Sequence, residues 1–245
     1  MQVLGFKGRL RAGILTDITK AVGMIAWEVR AHFTDVGLHI RAVNPENIAM
    51  VIANVPRSSF DAFNWETEIV GLDLDRLKNT IRAFSQDDVL ELNVGENLTL
   101  RNGRISYTLP VLNPEHIRKE PKIPSLELPA VVELTVEDFK KVIGLAEKIS
   151  DEAVLYTDGE EFVIEAQGDI ESIRATFPRD KLVGYNGGKA RSKFAVEYLK
   201  NFCKAAKPKD LLQIHLGDNY PARFIFEKPD YIVEYILAPR IEAED

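Results

Sequence analysis

LDRLKNTIRAFSQDDVLELNVGEN runs from Leu74 to Asn97, and VEYLKNFCKAAKPKDLLQIHLGDN runs from Val196 to Asn219, 122 positions later. Each stretch begins apolar at helical spacing, passes an Asp, alternates as a strand and ends at a Gly-acid-Asn turn. Between Leu77–Asn97 and Leu199–Asn219, eight of 21 positions are identical: Leu77, Lys78, Asn79, Ala83, Asp88, Leu90, Gly95 and Asn97. Unrelated sequences of ordinary composition share about one or two. At the same offset VPRSSFDAFN (Val55 to Asn64) faces FPRDKLVGYN (Phe177 to Asn186). Nearer the N-terminus the offset becomes 124, where GLHIRA (Gly37 to Ala42) faces EFVIEA and LTDITKAVGMI (Leu15 to Ile25) faces FKKVIGLAEKI. A register that changes once, by two residues, indicates a twofold internal repeat with one insertion or deletion.

Each copy reads as strand, helix, several strands, helix, further strands. In the first, Val3 to Lys7 is a strand and Arg9 to Ile25 a helix with Leu10, Ile14, Ile18, Val22 and Ile25 on one face. Strands follow around Glu28–Phe33, Leu38–Val43 and Ile48–Val55, with Asn44-Pro45 as a break. A second helix spans about Leu74 to Phe84. Strands Val89–Val94, Asn97–Arg101 and Arg104–Leu112 complete the copy, the last two joined at Asn102-Gly103. The second copy starts at Val131, with helices at Val136–Ile149 and Lys193–Ala206 and hairpin turns at Asp158-Gly159 and Gly187-Gly188. Between the copies, HIRKEPKIPSLELPA (His116 to Ala130) carries Pro121, Pro124 and Pro129, which favour an extended connector. The expected fold class is α+β: two similar domains, residues 1–116 and 131–245, joined by 117–130, with antiparallel sheets covered on one side by helices.

At 45% hydrophobic over 245 residues, the chain has enough apolar material for one large core or two modest ones. No apolar run is long enough to cross a bilayer, and MQVLGFKGRL lacks the pattern of a secretory signal. Cys203 is the single cysteine and reads as a buried thiol beside Phe202, which fits a reducing compartment. With 38 acids against 31 bases the net charge is -7, which opposes a protein that grips nucleic acid over its whole surface.

The bases, however, are gathered. The expected helical spans Arg9–Val22, Asp75–Gln86, Glu137–Ile149 and Lys193–Lys207 hold thirteen Lys and Arg against six Asp and Glu. They comprise Arg9, Arg11 and Lys20 in the first, Arg76, Lys78 and Arg82 in the second, and Lys140, Lys141 and Lys148 in the third. The fourth adds Lys193, Lys200, Lys204 and Lys207. Lys78 and Arg82 stand four apart, as do their repeat partners Lys200 and Lys204. Two readings stay open: ordinary solvated helix surface, or a polyanion-binding face that contacts phosphates without reading bases.

His32, His39, His116 and His215 form no metal or acid–base spacing, and His39 and His215 sit within strands as structural side chains. YNGGKARS (Tyr185 to Ser192) lacks the phosphate-loop pattern, and there is no nucleophile elbow. The expectation is a protein that is no enzyme and takes no cofactor or metal.

GLHIRAVNPENIAMV (Gly37 to Val51), the connector IRKEPKIPSLELPA and the terminal YILAPRIE (Tyr235 to Glu242) resemble the proliferating cell nuclear antigen family of DNA sliding clamps, archaeal type, over essentially the whole chain. The resemblance implies a homotrimer joined head to tail in a closed ring, helices lining the hole and sheets outside, with duplex DNA passing through. It implies edge-strand contacts between Arg104–Leu112 of one chain and Lys181–Asn186 of the next, with Ile105, Tyr107, Leu109, Leu182 and Tyr185 at the contact. It also implies a groove for partner peptides bearing Gln and apolar anchors: Val43, Asn47 and Ile48 on one wall, Leu126 and Leu128 in the connector, and Pro221, Ile236, Ala238, Pro239 and Arg240 beyond. Val43 and Ile236 stand where eukaryotic relatives commonly carry larger side chains. Implied partners are an ATP-dependent clamp loader of the replication factor C type, DNA polymerase, flap endonuclease and DNA ligase. The implied setting is the cytoplasm of an archaeal cell, on the nucleoid, with no membrane. The acidic tail IEAED reads as solvated terminus or as an aid to docking. The alternatives are a subunit of a heterotrimeric or checkpoint-type clamp, and a non-annular interaction scaffold.

Overall fold

The computed structural model describes residues 5–65 and 68–241. Val3 and Leu4 of the strand expected at Val3–Lys7, and all of the tail after Ile241, lie outside them. The chain divides into two compact units, the first of residues 1–122 with Lys228–Val233, the second of Ile123–Glu227 with residues 234–245.

The first copy runs β1 (Phe6–Arg11), α1 (Ala12–Val22), β2 (Glu28–Thr34), β3 (Gly37–Val43), β4 (Ala49–Pro56), β5 (Ala62–Asn64), β6 (Glu68–Asp73), α2 (Leu74–Ile81), β7 (Val89–Val94), β8 (Asn97–Asn102) and β9 (Ile105–Pro110). The second repeats that order: β10 (Ala130–Thr135), α3 (Val136–Ala146), β11 (Glu152–Thr157), β12 (Glu161–Gln167), β13 (Ser172–Pro178), β14 (Gly184–Asn186), β15 (Ala190–Ala195), α4 (Val196–Phe202), β16 (Leu211–Leu216), β17 (Ala222–Glu227) and β18 (Ile232–Leu237). Strands neighbour one another as β5-β1-β7-β8-β9 and β4-β3-β2-β6 in the first copy, and as β14-β10-β16-β17-β18 and β13-β12-β11-β15 in the second.

Register carries the duplication down to single residues. Lys7 lies opposite Asn64 as Val131 lies opposite Asn186, and Glu28 opposite Asp73 as Glu152 opposite Ala195. The two-residue offset change falls in one turn. Val43 pairs Met50 across β3–β4, whereas Gln167 pairs Ser172 across β12–β13. The first copy's turn is therefore two residues longer.

Helix boundaries are tighter than the sequence suggests. Arg9 and Arg11 belong to β1, whose burial alternates with Phe6, Gly8 and Leu10 inward. Pairing to β5 and β7 supplies inter-strand hydrogen bonds that hold this segment extended. Lys193 likewise belongs to β15, so α4 begins only at Val196. Gly187-Gly188 is not a hairpin turn, because β14 pairs with β10 and β15 with β11. A Cβ at Gly188 would sit 2.1 Å from the Pro129 carbonyl oxygen, and this close approach explains the glycine. Asp73 caps α2 by accepting from the Arg76 amide at 3.0 Å, and Thr135 caps α3 by accepting from that of Asp138 at 3.1 Å.

Each unit has its own core. In the first, Phe6 stacks on Phe33 at 4.2 Å between centroids and meets Phe63 edge-on. The second centres on Phe202, stacked on Tyr235 at 4.1 Å and tilted against Phe224. Topology has thus been kept while the large rings have been redistributed. Cys203 is buried, its Sγ donating to the Leu199 carbonyl, and desolvation pushes the thiol up to about 12. With almost no thiolate at pH 8, the folded protein is expected to alkylate at least a hundredfold more slowly than the urea-unfolded chain, as followed by mass. Equal rates would show that the helix end opens freely.

Candidate nucleic-acid and peptide interfaces

Lys20 lies on α1, Arg76 and Lys78 on α2, Lys140 and Lys141 on α3, and Lys200 on α4. Arg82 is the C-cap of α2, Lys148 follows α3, Lys204 lies in the short 3-10 turn after α4, and Lys207 follows that turn. Within helix bounds the charges nearly balance, since Asp17, Asp75, Glu137, Asp138 and Glu197 accompany those lysines and Arg76. The positive excess sits on the flanks.

Several bases are occupied internally. Arg11 pairs with Asp230, Arg76 Nε approaches Asp73 Oδ2 at 3.1 Å, and Lys200 Nζ reaches both Glu147 oxygens at 2.6 Å. Lys204 donates to Asn201 Oδ1 at 2.6 Å. Among the described residues, Lys20, Lys78, Arg82, Lys140, Lys141 and Lys148 are exposed and form no ion pair. Their charge is available to an external anion. Lys200, which the repeat singles out, is largely neutralised by Glu147.

Of the residues expected at a peptide groove, some belong to each unit. In unit one, Val43 ends β3, and Asn47 and Ile48 occupy the longer turn, with Asn47 at φ 60° in the left-handed region. Asn44, buried beneath, accepts through Oδ1 from the Ile48 and Ala49 amides at 3.0 Å each. In unit two, Leu128 lines an open cavity of about 700 Å³ with Ser125, Glu127, Pro129, Gly217, Asp218 and Tyr220. Leu126 and Pro221 are half-buried outside that lining, Ile236 is 5% exposed, and Ala238 and Pro239 are half-buried. Arg240 is exposed and its amide donates to the Lys193 carbonyl at 2.7 Å. Tyr220 and Asp218, which share the cavity lining with Leu128, lie in and beside the Gly-acid-Asn turn that ends the repeat just before Pro221.

The connector begins pinned to unit one. Leu112 bridges to Gly71, where a Cβ would meet the Leu112 oxygen at 2.4 Å, so only glycine fits. Arg30 donates to the Ile117 carbonyl at 3.1 Å, and Glu120 contacts His32 and lies 3.8 Å from Arg30. Burial opposes ionisation of Glu120, but the His32 contact, its own backbone amide and the charges of His32 and Arg30 outweigh it and hold the carboxyl below its ordinary value. A lowered carboxylate contributes stability above the usual value near 4.5 and loses it as pH falls through the depressed one. Glu120→Gln should therefore cost about 1 kcal/mol at pH 7, seen as a lower Tm, with the gap to the parent closing under acid. A pH-independent gap would contradict this account.

For assembly, Ile105 and Tyr107 stand 55% and 48% exposed on β9, the edge of its sheet, whereas Leu109 is buried opposite Leu98. Leu182 is half-buried in the loop after β13, the seven-residue edge of the second unit's four-stranded sheet. Tyr185 lies on three-residue β14, its hydroxyl against Thr157 Oγ1.

No protein-family model matches the chain. A DNA polymerase sliding clamp of Archaeoglobus fulgidus is 46% identical over 236 residues, covering 94% of this chain and 96% of that one. Another, from Methanococcoides burtonii, is 35% identical over 244 residues and covers 98% of this chain and all of its own. Among solved structures, the C-terminal region of FEN-1 bound to A. fulgidus PCNA superimposes with a TM-score of 0.93 at 44% identity, over 98% of this chain and 100% of that one. PCNA from Thermococcus kodakaraensis, at 21% identity and a TM-score of 0.89, shares the fold, over 96% of this chain and 100% of that one. Two duplicated α+β units in this topology define a clamp fold. The chain belongs to the DNA polymerase sliding clamps, in the archaeal branch of the PCNA family.

Proposed function

We propose that three copies of this chain close head to tail around duplex DNA and tether replication and repair enzymes to it, contributing no catalytic step. The observation that carries this reading is the set of exposed, unpaired bases on and beside the helices of a chain whose net charge is -7. Such a surface attracts phosphates weakly and without regard to sequence, which suits sliding. β9 offers its open edge to a neighbouring copy, and the edge that receives it lies in the β13–β14 region around Leu182 and Tyr185. The peptide groove takes the C-terminal motif of a flap endonuclease, as the FEN-1 segment bound to the A. fulgidus relative supports. Polymerase and ligase are further clients, loading requires an ATP-driven replication factor C type loader, and the site of work is the nucleoid in the archaeal cytoplasm. No helix among the described residues is long and apolar enough to cross a membrane.

The test replaces Lys78, Arg82, Lys141 and Lys148 together by Ala and measures loader-dependent deposition on primed DNA at several salt concentrations. Removing four phosphate contacts should flatten the log–log salt slope by about 3 to 4 and cut loading roughly tenfold or more at low salt. Oligomer mass should not change. Identical slopes for parent and variant would place those bases away from the DNA.

A further inference from the structure

We infer that Arg118 is a positioning residue for the peptide groove, the pin that fixes the turn carrying Asn47 and Ile48. This rests on the groove reading above. The guanidinium donates from Nη1 to the Asn44 carbonyl at 2.8 Å and from Nη2 to Asn47 Oδ1 at 2.5 Å. One planar fork thus spans the first and fourth residues of a turn that Asn44 already closes from beneath by accepting from the Ile48 and Ala49 amides.

Two further observations give the fork a role. The turn is the place where the copies differ in length, and the shorter second-copy turn, residues 168–171, has no position corresponding to the extra residues. Asn47 also holds φ at 60°, a region an L-residue occupies only when its surroundings over-determine it, and Asn is among the residues that tolerate it. Arg118 supplies an external hold on this turn from the connector. The hold is itself anchored on either side of Arg118: Ile117 is buried and its carbonyl accepts from Arg30, and Glu120 contacts His32. The connector's first half therefore sets the shape of one groove wall before any peptide arrives, and a preformed wall spares the binder an ordering cost.

The test uses the full-length protein and a synthetic peptide of a flap endonuclease C-terminus bearing Gln and apolar anchors, with affinity read by calorimetry. Arg118→Met should weaken binding five- to twentyfold while Tm stays within about 2 °C of the parent. Arg118→Lys, which offers one ammonium nitrogen in place of the two-nitrogen fork, should fall between. In a double-mutant cycle, Asn47→Gly, which keeps φ 60° accessible while removing Oδ1, should add little once Arg118 is Met, since both remove the Arg118–Asn47 bond. Hydrogen exchange at the Ile48 and Ala49 amides should quicken in Arg118→Met. Ala238→Asp serves as the control on the groove itself. If it abolishes binding while Arg118→Met binds as the parent does, the pin is wrong and the groove stands. If Ala238→Asp also binds normally, the groove reading falls and this inference with it.

Discussion

Loaded on covalently closed circular DNA, the protein should stay, and one double-strand cut elsewhere in the circle should release it. Residence is expected to shorten at least tenfold on linearisation, because nothing but closure holds the ring in place. Salt separates this from ordinary adhesion. A protein held by six phosphate contacts loses roughly a thousandfold in affinity between 50 and 200 mM salt. An encircling ring on a closed circle should lose little over that range, since its weak contacts orient it without retaining it. Gel filtration of cut and uncut complexes at both salts gives four measurements. Equal retention on circle and line, with steep loss in salt on each, would mean that the basic surface binds DNA from outside and that no ring forms around it.

Charging the β9 edge should take the assembly apart. Ile105 and Tyr107 are the large apolar side chains that this edge leaves exposed. Replaced together by Asp, they would place two carboxylates in a dry contact, each costing several kcal/mol without a partner. Sedimentation should shift from three times the 27.6 kDa chain mass to the single chain. The monomer should keep its circular dichroism and cooperative melting, because each unit has its own core. A variant that still sediments as the trimer would move the contact off β9. A parent chain that never self-associates would point instead to a clamp that needs different sister chains.

The architecture was readable because duplication makes a sequence its own control. Leu77 against Leu199 and Gly95 against Gly217 aligned helix, strand and turn at once, and the observed registers follow that alignment residue for residue. Boundaries were harder. Leu10 fits the inward face of a helix continuing through Ile14, yet it also fits the alternation with Phe6 and Gly8 that pairing to β7 and β5 selects. Period alone could not decide, because the strand partners are more than fifty residues away. By period alone Arg9 and Arg11 therefore read as helical, and so does Lys193, whose partner Val154 is likewise distant in the chain. The same long-range blindness hid Glu147 beneath Lys200 and Arg118 beside Asn47, since pairs separated by 53 and 71 residues leave no local spacing to read.

The two-residue difference between the β3–β4 and β12–β13 turns has a consequence for valency. A duplicated chain would by default offer every surface feature twice, so three copies would present six equivalent docking walls. Lengthening one turn and pinning it from the connector makes the halves unequal in this respect. In the trimer proposed above, three chains would carry three such sockets while the basic helices, present in both halves of each chain, would repeat six times, so that the number of enzymes held and the passage over the double helix would be set by separate parts of the same molecule.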